Sequence, residues 1–172
     1  ERRAGRHRQN PEAFPFGGWY PGDNVNVAVG QGEVLATPLQ LANAYTVFAN
    51  AGSRWAPNIV ERIVDHDGGA VLSFGPRQAA EVEIDPAFRN RVLRGLVGVV
   101  ADEEGTAYWA FNSEATDGTY FPHARYPLAG KTGTAEVRGR ADTSLFAAFG
   151  PVQEPAYVMV AVLEEAGFGS SV

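Results

Sequence analysis

Lys131 is the only lysine among 172 residues, and it stands in the stretch Leu128-Ala129-Gly130-Lys131-Thr132-Gly133-Thr134-Ala135-Glu136-Val137. A lysine at a strand end is ordinarily a solvated charge. Here two hydroxyls, a residue without a side chain and several backbone N–H groups follow the ammonium at once. Such a set suits an acyl or carboxylate ligand lying against the strand. Gly133 weakens a strand and is expected where a ligand or a second backbone comes close.

Two other chemistries fail on spacing. Gly130-Lys131-Thr132 resembles the end of a phosphate-binding loop, but the position that must be the first glycine is Arg125. Gly30-Gln31-Gly32 resembles half a dinucleotide fingerprint, but its third glycine position is Leu35. His7, His66 and His123 lack metal-ligand spacing, and the sequence has no cysteine, which excludes disulfides and thiolate metal sites. Neither a metal nor an organic cofactor is expected. A net charge of −6 argues against a general nucleic-acid binder. The basic run Arg2, Arg3, Arg6 and Arg8 carries no interleaved aromatics and is expected to be a solvated end.

The elements that must position the lysine strand follow from local signals. Residues 1–24 are rich in Pro and Gly and are expected to form an irregular loop. Val25 to Val29 alternate as a short strand would, and Gly30 and Gly32 then turn the chain. Thr37-Pro38-Leu39-Gln40 is a helix start, with threonine as N-cap, proline at the first helical position and glutamine closing a capping box. That helix is expected to run to about Ala51, to bury Leu41, Ala44, Tyr45 and Phe48, and to stop at Gly52. Pro57 to Phe74 carries β-branched residues on both sides of Asp67-Gly68-Gly69, a hairpin signal. Asp85-Pro86 opens a second helix with an apolar stripe at Phe88, Val92, Leu96, Val99 and Val100, and Gly105 as its stop. Asn112 to Pro127 is expected to be a surface excursion. Leu128–Val137, Ser144–Gly150 and Tyr157–Leu163 form an antiparallel meander, the last two joined by Val152-Gln153-Glu154-Pro155. An apolar content of 45% suffices for one core, so the fold class is α/β (α+β), an antiparallel sheet packed against helices.

Three features together carry a resemblance: Lys131-Thr132-Gly133-Thr134-Ala135, Gly30-Gln31-Gly32 shortly before Thr37-Pro38-Leu39-Gln40-Leu41-Ala42, and Gly105-Thr106-Ala107 after the second helix. In order and spacing, over residues 20 to 165, the chain resembles the transpeptidase domain of class B penicillin-binding proteins, nearest the elongation type typified by penicillin-binding protein 2. The resemblance implies part of the penicillin-binding protein and serine β-lactamase-like fold. It also implies a serine-type D-Ala-D-Ala transpeptidase, in which a serine attacks the penultimate D-alanine carbonyl of a peptidoglycan stem peptide and passes the acyl group to an amine. β-Lactams acylate the same serine. The catalytic positions it implies here are Lys131, Thr132, Gly133 and Thr134: Lys131 for positive potential, Thr132 and Thr134 for hydroxyls, the Thr134 N–H for the oxyanion, and Gly133 for clearance. Gln31, Thr37 and Thr106 are expected to be scaffold. The implied location is the extracytoplasmic face of the bacterial inner membrane, with an anchoring helix and a SEDS-family glycosyltransferase partner engaged through regions outside this sequence.

The sequence departs from the family at its nucleophile. Ser-x-x-Lys is impossible because Leu128 precedes the single lysine by three, and none of the six serines heads Ser-x-Asn. The expectation is therefore the C-terminal part of one transpeptidase domain, 1–172, cut at both ends and inactive alone. A β-lactamase or β-lactam sensor sharing the lysine strand, and a non-catalytic peptide-binding module, remain as alternatives.

Overall fold

A computed structural model describes residues 8–12, 17–32, 34–113, 120–123, 125–137 and 139–170. Arg2, Arg3, Arg6 and His7, and residues 114–119 of the expected excursion, lie outside these.

The first element corrects an expectation. Val25 to Val29 are not a strand; Pro21–Ala28 is a helix, α1, and Arg8 and Gln9 are also helical, so the stretch 1–24 is not an irregular loop throughout. The cause is local capping. The Tyr20 N–H donates to the Asp23 carboxylate at 2.7 Å and the Asp23 N–H returns to the Tyr20 carbonyl at 2.9 Å, with proline at the first position. Val25 and Val29 remain 66% and 71% exposed, so no packing rewards an extended alternative.

The helix α2, Pro38–Ala49, starts as its sequence dictates. The Thr37 Oγ1 accepts from the Gln40 N–H at 3.2 Å, and the Gln40 Oε1 accepts from the Thr37 N–H at 2.8 Å. It ends two residues before the expected Ala51. Strand β1, Ser53–Trp55, follows and pairs antiparallel with β4, Gln78–Glu81, a ladder absent from the sequence reading. Between them lies the expected hairpin, β2 (Arg62–Val64) and β3 (Ala70–Ser73). Its turn is held by Asp65, whose carboxylate accepts from the N–H groups of Asp67 and Gly69.

Helix α3, Pro86–Ala101, is capped by Asp85, which accepts from Ala87 and Phe88 N–H. A five-residue helix, α4 (Tyr108–Asn112), stands where only the turn after α3 was expected. The described part of the excursion is not free on the surface but folds back on α4: the Phe121 ring meets Phe111 edge-on at 5.2 Å, and the His123 imidazole lies 2.9 Å from the Phe111 carbonyl.

The meander is as expected in place and order. Strands β5 (Ala129–Ala135), β6 (Thr143–Gly150) and β7 (Tyr157–Leu163) form one antiparallel sheet in the order β5-β6-β7, with Lys131 opposite Ala147 and Thr134 opposite Ser144. The core is small. Ala49, Ala129 and Phe149 are buried where α2 meets β6 and β7 and α3 meets β5, with Tyr45, Phe48, Leu93, Leu96 and Val97 packed around them. Burial raises the Tyr45 hydroxyl above its usual pKa. The expected stripe on α3 is rotated slightly, for Leu93 and Val97 face the core while Phe88 is 58% exposed; Ala44 of α2 is also exposed. Arg89 ties the two helices together: its Nε and Nη2 donate to the Phe48 carbonyl at 3.0 and 2.6 Å, satisfying an end of α2 with a side chain of α3.

Candidate functional site

β5 is an edge strand, so one side of its backbone is turned away from β6. Two contacts show which residues face that way. The Thr132 carbonyl accepts from the Lys131 Nζ at 2.8 Å, and the Thr134 carbonyl accepts from the Gln31 Nε2 at 3.2 Å. A residue in an antiparallel strand turns its N–H and C=O to the same side. The N–H groups of Thr132 and Thr134 therefore lie along the free edge with those carbonyls.

Side chains alternate along a strand, which places Lys131 and Gly133 on one face and Thr132 and Thr134 on the other. The ammonium and the hydroxyls meet only at the edge, where Lys131, itself exposed, bends back to the Thr132 carbonyl. The Thr132 hydroxyl lies 2.7 Å from that of Thr106. The Thr134 Oγ1 accepts from the Gly169 N–H at 3.1 Å. A Cβ on Gly133 would stand in ordinary contact with Leu145 at 3.4 Å, so packing against β6 does not by itself demand glycine there.

Each supporting residue is placed by its own turn. Gly30 and Gly32, with φ of 80° and 99°, turn the chain after α1 as the sequence predicts, and the Gln31 N–H bonds back to the Asn26 carbonyl at 2.8 Å. Thr106 sits in a turn docked on the end of α3. A side chain on Gly105 would collide with the Gly98 and Val99 carbonyls, the Ala107 N–H bonds to the Val99 carbonyl at 3.0 Å, and Ala107 is buried. Beyond β7 the chain returns over β5 and β6, where the Gly167 N–H bonds to the Asp142 carbonyl at 3.0 Å and Arg140 pairs with Glu165 at 3.2 Å.

The structure thus brings together Lys131, Thr132, Gly133 and Thr134 with two residues expected to be mere scaffold. Gln31 and Thr106 touch the strand directly, whereas Thr37 stays in its capping box. Among the described serines, Ser144 is buried and donates to the Gly167 carbonyl at 2.7 Å, and Ser53 donates to the Glu81 carboxylate at 3.0 Å; neither of these bonds is to a lysine or histidine. Among the described residues, no group of three His, Cys, Asp or Glu is placed to hold a metal ion.

Comparison with known proteins gives the family and the fold. Residues 10–172 match the profile of the penicillin binding protein transpeptidase domain. The chain is 32% identical over 171 residues to the peptidoglycan D,D-transpeptidase MrdA of Haemophilus influenzae, covering 89% of this chain and 24% of that protein. It is 29% identical over 169 residues to MrdA of Escherichia coli, covering 90% and 25%. Among solved structures, penicillin-binding protein 2 of Pseudomonas aeruginosa in complex with WCK 5153 aligns at a TM-score of 0.64 and 32% identity, over 97% of this chain and 32% of that one. The D,D-transpeptidase domain of a peptidoglycan glycosyltransferase from Eggerthella lenta aligns at 0.62 and 27% identity, over 96% and 37%. The chain spans about a quarter of the length of the curated relatives it matches.

Proposed function

The chain belongs to the penicillin-binding protein transpeptidase family, and on that premise we propose that it supplies the substrate-binding strand of a peptidoglycan D,D-transpeptidase of the penicillin-binding protein 2 type. It is the C-terminal part of that domain. The observation that carries the reading is the free edge of β5, where one ammonium, two hydroxyls and two outward N–H groups come from the four consecutive residues Lys131 to Thr134. A stem peptide ending in D-alanyl-D-alanine adds along this edge as an extended chain, and its terminal carboxylate meets Lys131 and the hydroxyls of Thr132 and Thr134.

The Gly169 N–H can only donate, so the Thr134 oxygen accepts from it and keeps its own proton for the carboxylate. The Thr134 N–H is one donor to the oxyanion formed when serine attacks the penultimate carbonyl. Gly133 keeps side-chain bulk off the sheet face it shares with Lys131. The serine and its lysine belong to sequence other than these residues, since no Ser-x-x-Lys occurs among them. β-Lactams enter as acylating analogues of the peptide terminus. Among the described residues no helix is long and apolar enough to cross a membrane; anchoring at the extracytoplasmic face, and docking of a SEDS-family glycosyltransferase, fall to other regions of the protein.

The test is covalent labelling by a fluorescent penicillin. The 172 residues alone should give no adduct that survives denaturation, and the same residues joined to an upstream segment carrying Ser-x-x-Lys should give one. A stable adduct on the short chain would refute the assignment, as would no labelling of the long one.

A further inference from the structure

The contact between Thr106 and Thr132 joins a turn at the end of α3 to the middle of β5, with the two Oγ1 atoms 2.7 Å apart. A hydroxyl carries one proton and can accept as well as donate. With no ligand present either threonine can be the donor. A carboxylate against Thr132 removes that freedom, because it only accepts, so Thr132 must spend its proton on the carboxylate. The bond to Thr106 then survives only if Thr106 donates.

We propose that Thr106 is a positioning residue for the transpeptidase reaction: its hydroxyl donates to Thr132 Oγ1 and so directs the Thr132 proton onto the carboxylate of the substrate or β-lactam. The inference rests on the carboxylate role proposed for Thr132. The resulting chain of donors, Thr106 to Thr132 to carboxylate, strengthens each bond by polarising the next. The geometry around Thr106 is built for a fixed hydroxyl. Gly105 packs its backbone against the last turn of α3 with no room for a side chain, and Ala107 is buried and bonded to the Val99 carbonyl, so the residue between them cannot wander. A threonine serving only the turn would have no need to meet the ligand strand.

The experiment uses the full-length transpeptidase and two probes, benzylpenicillin and its carboxyl methyl ester, with the second-order acylation rate constant as readout. Thr106→Val keeps the shape and removes the donor, and should slow acylation by benzylpenicillin about 5- to 10-fold, the effect of one lost neutral hydrogen bond. The ester, which offers no charged acceptor, should change by less than about twofold. Thr106→Ser should restore the wild-type rate, and Thr106→Ala should repeat the valine loss, since both lack the donor and only valine could crowd the turn. Thr132→Val should lower the benzylpenicillin rate at least as much, and the double variant should be no slower than Thr132→Val alone, because both act through one proton. Equal losses with both probes, or multiplicative losses in the double variant, would overturn the relay and make Thr106 structural. A normal rate in Thr106→Val beside an impaired Thr132→Val would overturn the relay alone. A normal rate in Thr132→Val would overturn the carboxylate reading, and the relay with it.

Discussion

Replacing Lys131 by alanine, in the protein that carries the nucleophile, removes one ammonium and one hydrogen bond, from Nζ to the Thr132 carbonyl at 2.8 Å. Because Lys131 is exposed, that bond competes with water and the fold should lose no more than about 0.5 kcal/mol. In a domain of about 150 to 250 residues this moves the melting temperature by at most about 2 °C. Nor does alanine disturb the ladder, since Ala147 already faces the position from β6. A ligand carboxylate covering the ammonium changes the magnitude, for a hydrogen bond to a charged group contributes about 1.5–3 kcal/mol. At about 1.4 kcal/mol per factor of ten, acylation should fall about 10- to 150-fold. The assay follows labelling by a fluorescent penicillin against time and concentration, beside a melting curve of the same preparation. Labelling within twofold of wild type would refute the reasoning, and a drop in melting temperature of more than about 5 °C together with normal labelling would reassign Lys131 to structure.

Two further outcomes follow from single atoms. If the Thr134 N–H is the oxyanion donor, Thr134→Val should keep most of the acylation rate while Thr134→Pro loses about 10²- to 10³-fold; equal losses, with melting and non-covalent affinity unchanged, would give the role to the hydroxyl. Thr37→Ala removes the acceptor of the Gln40 N–H and should destabilise the fold by about 1 kcal/mol without touching the acylation rate per folded molecule, a result checked by denaturant titration.

What the sequence made legible was chemistry confined to a few neighbouring residues. Thr37-Pro38 with Gln40, and Asp85-Pro86, each carry a whole helix start within four positions, and both helices begin where expected. The meander is legible for a similar reason, as three apolar runs separated by polar turns. Where two local signals disagreed the periodic one lost. The alternating Val25, Val27 and Val29 suggested a strand, but Tyr20, Pro21 and Asp23 form a helix start, and the valines have no sheet to join. The β1–β4 ladder was not legible at all, because its partners, Ser53 and Glu81, lie on either side of a complete hairpin and each strand is too short to show a period.

The site divides along the same line, and the division bears on how such strands are supported. Lys131 to Thr134 announce themselves, since a lone ammonium among small hydroxyl residues has few bland explanations. Gln31 and Thr106 reach that strand from 103 and 26 residues away, and no local pattern encodes a contact of that length. The sequence did hold an indirect signal. Gly105 is needed because the turn must approach the Gly98 and Val99 carbonyls closely, and Gly30 and Gly32 because the chain must adopt positive φ around Gln31. In both places a polar side chain sits directly beside a glycine whose backbone position is forced. Turns of that kind fix a side chain without using it, and each of the two is left to bond to β5, whose outer edge has no ladder partner among the described residues.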